Sequence, residues 1–400
     1  MLLHHDFSYT VLSILSPLLL LYLPSPTSAA CECGYALPSN ASPPQTFYTD
    51  LLETDFLHLK NLSTNTDWSP QNYTVTPAAA RGPWGKNASL SNILTNPLAS
   101  KYDWGSDDVL GGLELYVTGV GNEGAGGLVG MAELSSVRED MLYGSFRASV
   151  MFTGERGTCG AWFWYLNDTR EIDIELLSAQ QNASAHPINL VLQSPASAEA
   201  GFNAANTPTF SHPSLPFDPT DGFHEYRYDW SPTSVAFYAD SHLLTTMTTS
   251  IPQVPGHVTL SHWSNGDKGW SQGPPKQDAV MRVGYVKAYF NSSDPHRQED
   301  WQRRCGPSRD KEGQGGMCVI PDAVVGEGGM SGNATGKTFF FSEDEGNVGN
   351  QSISPGSWDG DVPKQSRGVK VGMSEGMVVV TLIVLVVGSF GILVAEVSPI

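Results

Sequence analysis

The residues best suited to chemistry form one short run, Arg170-Glu171-Ile172-Asp173-Ile174-Glu175-Leu176-Leu177. On a β-strand side chains alternate, so Glu171, Asp173 and Glu175 share one face and Ile172, Ile174 and Leu176 the other. An apolar face of that kind buries itself and pins the acidic face outward. Three carboxylates in one row repel each other, and a strand built only for structure seldom carries them. The bland alternatives are a solvated edge strand or a calcium site. At about 3.3 Å per residue the Cα atoms of Glu171 and Glu175 stand about 13 Å apart. Converging side chains bring the carboxyls to about 5–5.5 Å, the spacing of a two-step displacement at a sugar carbon. Two nearby like charges drive their pKa values apart, leaving one group ionised and one protonated. Asp173, between them, is set to hydrogen-bond the ionised one. This chemistry calls for no metal and no cofactor.

The elements that must position this row read as strands. From about residue 45 to 292 short apolar or alternating runs lie between Gly, Pro, Asn, Asp and Ser clusters. The runs are 113–118, 128–134, 144–152, 161–166, 171–177, 188–193, 225–230, 234–239, 258–263 and 281–290. Several alternate strictly, the period of a sheet with one buried face, and none sustains a helical period. Such a series predicts an all-β sandwich or jelly roll. Residues 31–44 read as an N-terminal extension. Residues 293–376, rich in Gly, Ser and Asp with one apolar run at 338–341, read as a spacer with little core of its own.

The two ends carry targeting signals. Val11 to Leu23 is almost wholly apolar and Ser28-Ala29-Ala30 follows, so residues 1–30 are expected to be a cleaved signal peptide. Met377 to Ala395 has no charge and suits a bilayer. It reads as either a transmembrane helix or the tail of a lipid-anchor signal, and in both cases the protein ends on a membrane at the cell surface. Nine Asn-x-Ser/Thr sequons, among them Asn61, Asn167 and Asn182, agree with a secretory route. A net charge of −19 repels phosphate backbones, which argues against a nucleic-acid partner. Of five cysteines, Cys159 lies inside an apolar strand and reads as a buried free thiol. Cys31 and Cys33 at one end and Cys305 and Cys318 at the other are expected to form two bridges that staple the ends together.

With those residues in view the chain resembles glycoside hydrolase family 16, whose catalytic strand reads Glu-x-Asp-x-Glu on a concanavalin A-like jelly roll. The resemblance implies Glu171 as nucleophile, Asp173 as its helper and Glu175 as acid/base, in the regular form without an extra residue before the last Glu. It extends over about residues 143–290, through Tyr143-Gly144-Ser145-Phe146, Gly157 to Tyr165, Gly222-Phe223-His224-Glu225-Tyr226-Arg227-Tyr228-Asp229-Trp230-Ser231-Pro232, and Pro255 to Trp270. It further implies Phe163 and Tyr165 as aromatics lining the cleft, Trp263 and Trp270 as stacking platforms for sugar rings, and Asn189 and Gln193 as hydrogen-bonding partners of glucose hydroxyls. His224 reads as a packed structural histidine. Three departures stand out: Arg147 where lichenases carry a substrate-contacting Glu, Val191 for a cleft tyrosine, and Thr169-Arg170 for a Trp-Asp pair. The expected partner is a β-linked glucan containing 1,3 bonds, alone or mixed with 1,4, cut from the interior. Transfer to a sugar hydroxyl in a cell wall, chitin–glucan transfer included, stays open beside hydrolysis. A sugar-binding jelly roll without catalysis is the rival from another class.

Overall fold

The structure, a computed structural model, describes residues 31, 33–38, 46–100, 110–121, 124, 126–202, 204–205, 207–305, 317–321 and 339–340. The expected signal peptide and membrane anchor lie outside them. Among the described residues no helix is long and apolar enough to cross a membrane.

Two large sheets pack face to face as a jelly-roll sandwich. The inner sheet has nine strands. It runs Phe210–Ser211, Asn189–Gln193, Arg170–Leu177, Cys159–Asn167, His257–Trp263, Leu128–Ser136, Gly85–Ala88 and Tyr73–Val75, with Trp68–Pro70 beside Leu128–Ser136. The outer sheet runs His242–Met247, Val235–Ala239, His224–Trp230, Met141–Met151, Ala279–Ser292, Gly112–Val117 and Ile93–Asn96, with Asp50–Asp55 also on Ala279–Ser292. All ten expected strands are present, each within a few residues of its predicted bounds.

Alternation makes the core. Ile172, Ile174 and Leu176 of the carboxylate strand and Trp162 and Trp164 of its neighbour point between the sheets and are buried. They meet Phe146, Tyr228 and Trp230 of the outer sheet, with Trp164 and Trp230 ring centroids 4.6 Å apart and Trp162 and Tyr228 5.9 Å apart. Each such side chain contributes about 1.5–3 kcal/mol on burial, which fixes which face of every inner strand looks outward.

The described segments that flank the sandwich join it more closely than their composition implies. Gly34–Ala36 pairs with Phe47–Tyr48 and, in parallel, with Met317–Val319 to make a small third sheet. Disulfides link Cys31 to Cys318 and Cys33 to Cys305, while Cys159 is free. Residues 295–305, expected in the spacer, form the helix Pro295–Cys305, whose Trp301 donates Nε1–H to Cys33 O at 3.0 Å. Ile320 and Phe339, also beyond the expected boundary at 293, are buried. The helix escapes a periodicity reading because Trp301 and Cys305 are the only buried side chains described in it, one turn apart, among charged neighbours. Strand Asp50–Asp55 escapes for the opposite reason: all six residues are buried, Leu52 against the core and Leu51 under the third sheet.

Ile174→Ala is expected to lower the free energy of unfolding by about 2–5 kcal/mol, because the site is enclosed by both sheets and cannot collapse freely. Urea denaturation followed by tryptophan fluorescence measures it; a loss below about 1 kcal/mol contradicts this account of the core.

Candidate functional site

The carboxylate strand Arg170–Leu177 sits between Cys159–Asn167 and Asn189–Gln193, and its pairing is regular through all three acids. Glu171, Asp173 and Glu175 face Tyr165, Phe163 and Ala161 on one side and Gln193, Val191 and Asn189 on the other. The unbroken register carries the unbulged form read from the sequence; the irregularity nearby falls between Tyr165 and Asn167. Directly opposed residues share a face, so these nine side chains form one floor, extended by His257, Thr259, Ser261 and Trp263 on the next strand. Asp173 is 3% exposed, Thr259 and Ser261 2% each. An open sheet face would be wetter than that, so the floor lies deep.

Burial raises the pKa of all three acids. Glu171 is pushed up to about 8 by burial, against which a hydrogen bond with Asp173 works in the other direction. Asp173 is raised by burial and by the charges of Glu171 and Glu175. Glu175 is raised by burial, opposed by the Cys159 thiol, Lys86, the Trp270 side chain and Arg81. Cys159 Sγ–H donates to Glu175 Oε1 at 3.3 Å. The row therefore keeps a proton where isolated carboxyls have lost theirs, and the two glutamates differ in what surrounds them: a neighbouring acid for Glu171, donors and cations for Glu175. Before substrate binds, this asymmetry leaves the proton on the Glu171–Asp173 side. Attack by Glu171 requires that proton to sit on Asp173, which donates it to Glu171 as a hydrogen bond, and protonation of Glu175 requires its donors and cations to give way to substrate.

The other residues singled out from the sequence are distributed unevenly. Phe163 and Tyr165 are half-buried on the floor, with ring centroids 6.2 Å apart and edge to face. The Tyr165 hydroxyl donates to Asp168 Oδ1 at 2.8 Å. Trp270 reaches Glu175, and Trp263 is half-buried with Lys86 Nζ 4.4 Å over its ring, so one face of that ring already carries a cation. Asn189 has its amide engaged within the protein: Nδ2–H donates to Gln180 Oε1 at 3.2 Å and to the Glu175 carbonyl at 3.4 Å, and Oδ1 accepts from His212 Nδ1 at 2.8 Å. Gln193 Oε1 accepts from Ser197 Oγ at 2.8 Å. Val191 is on the floor beside Asp173. Arg147 is not in the cleft. It lies on the outer sheet with no exposure, facing away from the core, and donates to Ser145 Oγ at 3.2 Å and Pro321 O at 3.2 Å. His224 is structural, stacked on Phe217 at 3.6 Å and bonded to Asp240 at 2.7 Å.

Some floor residues were not singled out from the sequence as site residues. Glu133 faces Ser261 and accepts from the Tyr73 hydroxyl at 3.0 Å. Lys86 comes from Gly85–Ala88, the strand next to the sheet edge, in the region before residue 110. Glu133 was accessible as the polar alternate in an otherwise apolar strand; Tyr73 and Lys86 reach the floor only through long-range pairing.

Residues 126–284 match the family model "Glycosyl hydrolases family 16", and the chain carries a domain of that family. The beta-glucanase of Bacillus licheniformis is 28% identical over 130 residues, 30% of this chain and 47% of that protein. Crh-like protein 2 of Botryotinia fuckeliana is 41% identical over 66 residues, 14% of this chain and 15% of that protein. A solved structure of Bacillus licheniformis beta-glucanase has a TM-score of 0.45 at 20% identity, covering 60% of this chain and 97% of that one. The chain spans about half the length of the first curated relatives it matches.

The raised acids carry a stability consequence. Glu171 binds its proton more tightly folded than unfolded, so between its ordinary value of 4.5 and about 8 the native state holds more protons and stability falls as pH rises. Glu171→Gln removes that loss. The variant is expected to be more stable than the parent at pH 8, with the two converging below pH 4.5. Thermal melts across this range test it, and a gain that grows toward acid pH reverses the sign.

Proposed function

We propose that this protein is a retaining, endo-acting β-glucanase that cleaves β-1,3 or mixed β-1,3/1,4-glucan with Glu171, Asp173 and Glu175. The single observation that carries the reading is the unbulged register that puts these three acids on one deep floor beside Phe163 and Tyr165. The Glu171 carboxylate attacks the anomeric carbon while Glu175 gives its proton to the departing oxygen, and the C–O bond breaks. Glu175, now a base, takes the proton from water, whose oxygen displaces Glu171 and restores the starting configuration. Asp173 acts through its hydrogen bond to Glu171. Phe163, Tyr165, Trp263 and Trp270 supply flat faces for sugar rings. Gln193, half-buried at the floor's edge, supplies a polar contact, and Asn189 acts by holding the Glu175 backbone.

A second reading is transfer to a sugar hydroxyl, which differs only in the acceptor of the last step. The low exposure of Asp173, Val191, Thr259 and Ser261 favours it, because a poorly hydrated floor leaves a long-lived glycosyl-enzyme for a bound sugar to resolve. An enzyme carried through the secretory route and held at the cell surface by residues 377–395 is suited to remodelling a glucan wall.

Glu175→Ala is expected to lower turnover of barley glucan by about 10²–10⁴-fold and to spare aryl glycosides with activated leaving groups. Glu171→Ala should lose both activities and recover with azide, giving a product of inverted configuration. Equal residual activity of both variants on every substrate contradicts the roles. Mass spectrometry of products formed with a fluorescent acceptor separates hydrolysis from transfer, and monosaccharides alone contradict interior cleavage.

A further inference from the structure

We infer that Arg81 and Phe202 bridge the cleft over the carboxylate floor, making it a tunnel that favours unbranched β-glucan chains; the substrate part rests on the function proposed above. The Arg81 guanidinium lies 4.0 Å from the Phe202 ring centroid. The two residues come from opposite sides of the inner sheet. Arg81 precedes strand Gly85–Ala88, one strand in from one edge, whereas Phe202 follows Asn189–Gln193, one strand in from the other, and the short helix Pro195–Glu199. Five strand spacings separate those two strands, about 24 Å along a flat sheet. They also come from opposite ends of the strands. The Arg81 loop is tied to the turn after Trp263, where Asn265 Nδ2–H donates to Ala80 O at 2.7 Å, near the Glu175 end. The Phe202 loop leaves from Gln193, opposite Glu171.

A contact between opposite corners of a sheet must pass over one of its faces. The face toward the outer sheet is filled by Trp162, Trp164, Ile172 and Ile174, so the contact passes over the acids. The charge of Arg81 is felt at both Glu171 and Glu175, which agrees with that position. The floor beneath is as dry as a covered surface should be, with Asp173 3% exposed.

Both loops are shaped to make the contact. Arg81 and Phe202 have left-handed backbones, with φ of 58° and 62°, a conformation that non-glycine residues seldom adopt. Arg81 N–H donates to Ala78 O at 3.2 Å and Phe202 N–H to Ser197 O at 2.7 Å, closing a turn on each side. A half-exposed cation–π contact is weak enough to open and close as a chain enters. Closed, it lies over the path of the chain, and a side branch next to the scissile bond meets Arg81 or Phe202.

The test uses the full-length protein on an unbranched mixed-linkage β-glucan and on a β-1,3-glucan with frequent 1,6-linked side chains. Phe202→Ala is expected to raise kcat/KM on the branched polymer about tenfold relative to the unbranched one, and Phe202→Trp should keep the parent's preference. An unchanged ratio in Phe202→Ala overturns the specificity assignment. A second measurement does not depend on catalysis. In the doubly substituted Arg81→Cys, Phe202→Cys protein a short bis-maleimide should join the peptides carrying positions 81 and 202, read by mass spectrometry. Absence of that link overturns the bridge. If the link forms and the parent cleaves neither glucan, the substrate assignment falls and the bridge stands.

Discussion

The molecule is organised around the conflict on strand Arg170–Leu177, whose outward face holds three acids that desolvation and mutual repulsion both penalise. A row of that kind holds together only if something else fixes the strand. The fixing comes from its own alternate residues, Ile172, Ile174 and Leu176, wedged between Trp162, Trp164 and the aromatic ridge of the outer sheet. One strand thus carries both the strain of the site and the burial that offsets it. The same alternation ties reactivity to packing, since a slip of one residue would turn the acids into the core and the isoleucines into the cleft.

A second layer of support lies behind the outer sheet. Its outward face is not solvated: Arg147, Glu225, Tyr285 and Lys287 are buried there, with the Tyr285 hydroxyl donating to Glu225 Oε2 at 2.6 Å. Charges are expensive in such a place unless paired and covered. The cover is the third sheet, the helix Pro295–Cys305 and the residues around Ile320 and Phe339, held by the two disulfides. These flanking segments therefore keep the outer sheet closed, and the outer sheet holds the core against which the acidic strand is pressed.

How much of this was legible in the sequence depends on the range of the interaction. The order Glu171-Ile172-Asp173-Ile174-Glu175 settles its own face assignment because period-2 alternation is local. The ten expected strands and the all-β class follow for the same reason. The residues implied by resemblance divide differently. Phe163 and Tyr165 sit one pairing away from the acids and arrive on the floor with them. Arg147 shares a strand type with cleft residues but belongs to the other sheet, and no local pattern distinguishes the two sheets.

By itself, then, the sequence determined the acidic row, its buried reverse face, the strand series and the set of cysteines at the two ends. Only the tertiary structure decided which cysteine met which, that Asn189 spends its amide on Gln180, His212 and the Glu175 backbone, and that Cys159 and Trp270 bear on Glu175. It also decided that Tyr73 and Lys86 come to the cleft from the last two strands on one side of the sheet. The physical reason is that alternation and turn chemistry act between neighbours in the chain. Hydrogen bonds, charges and packing act between neighbours in space, and those are chosen when the sheets close.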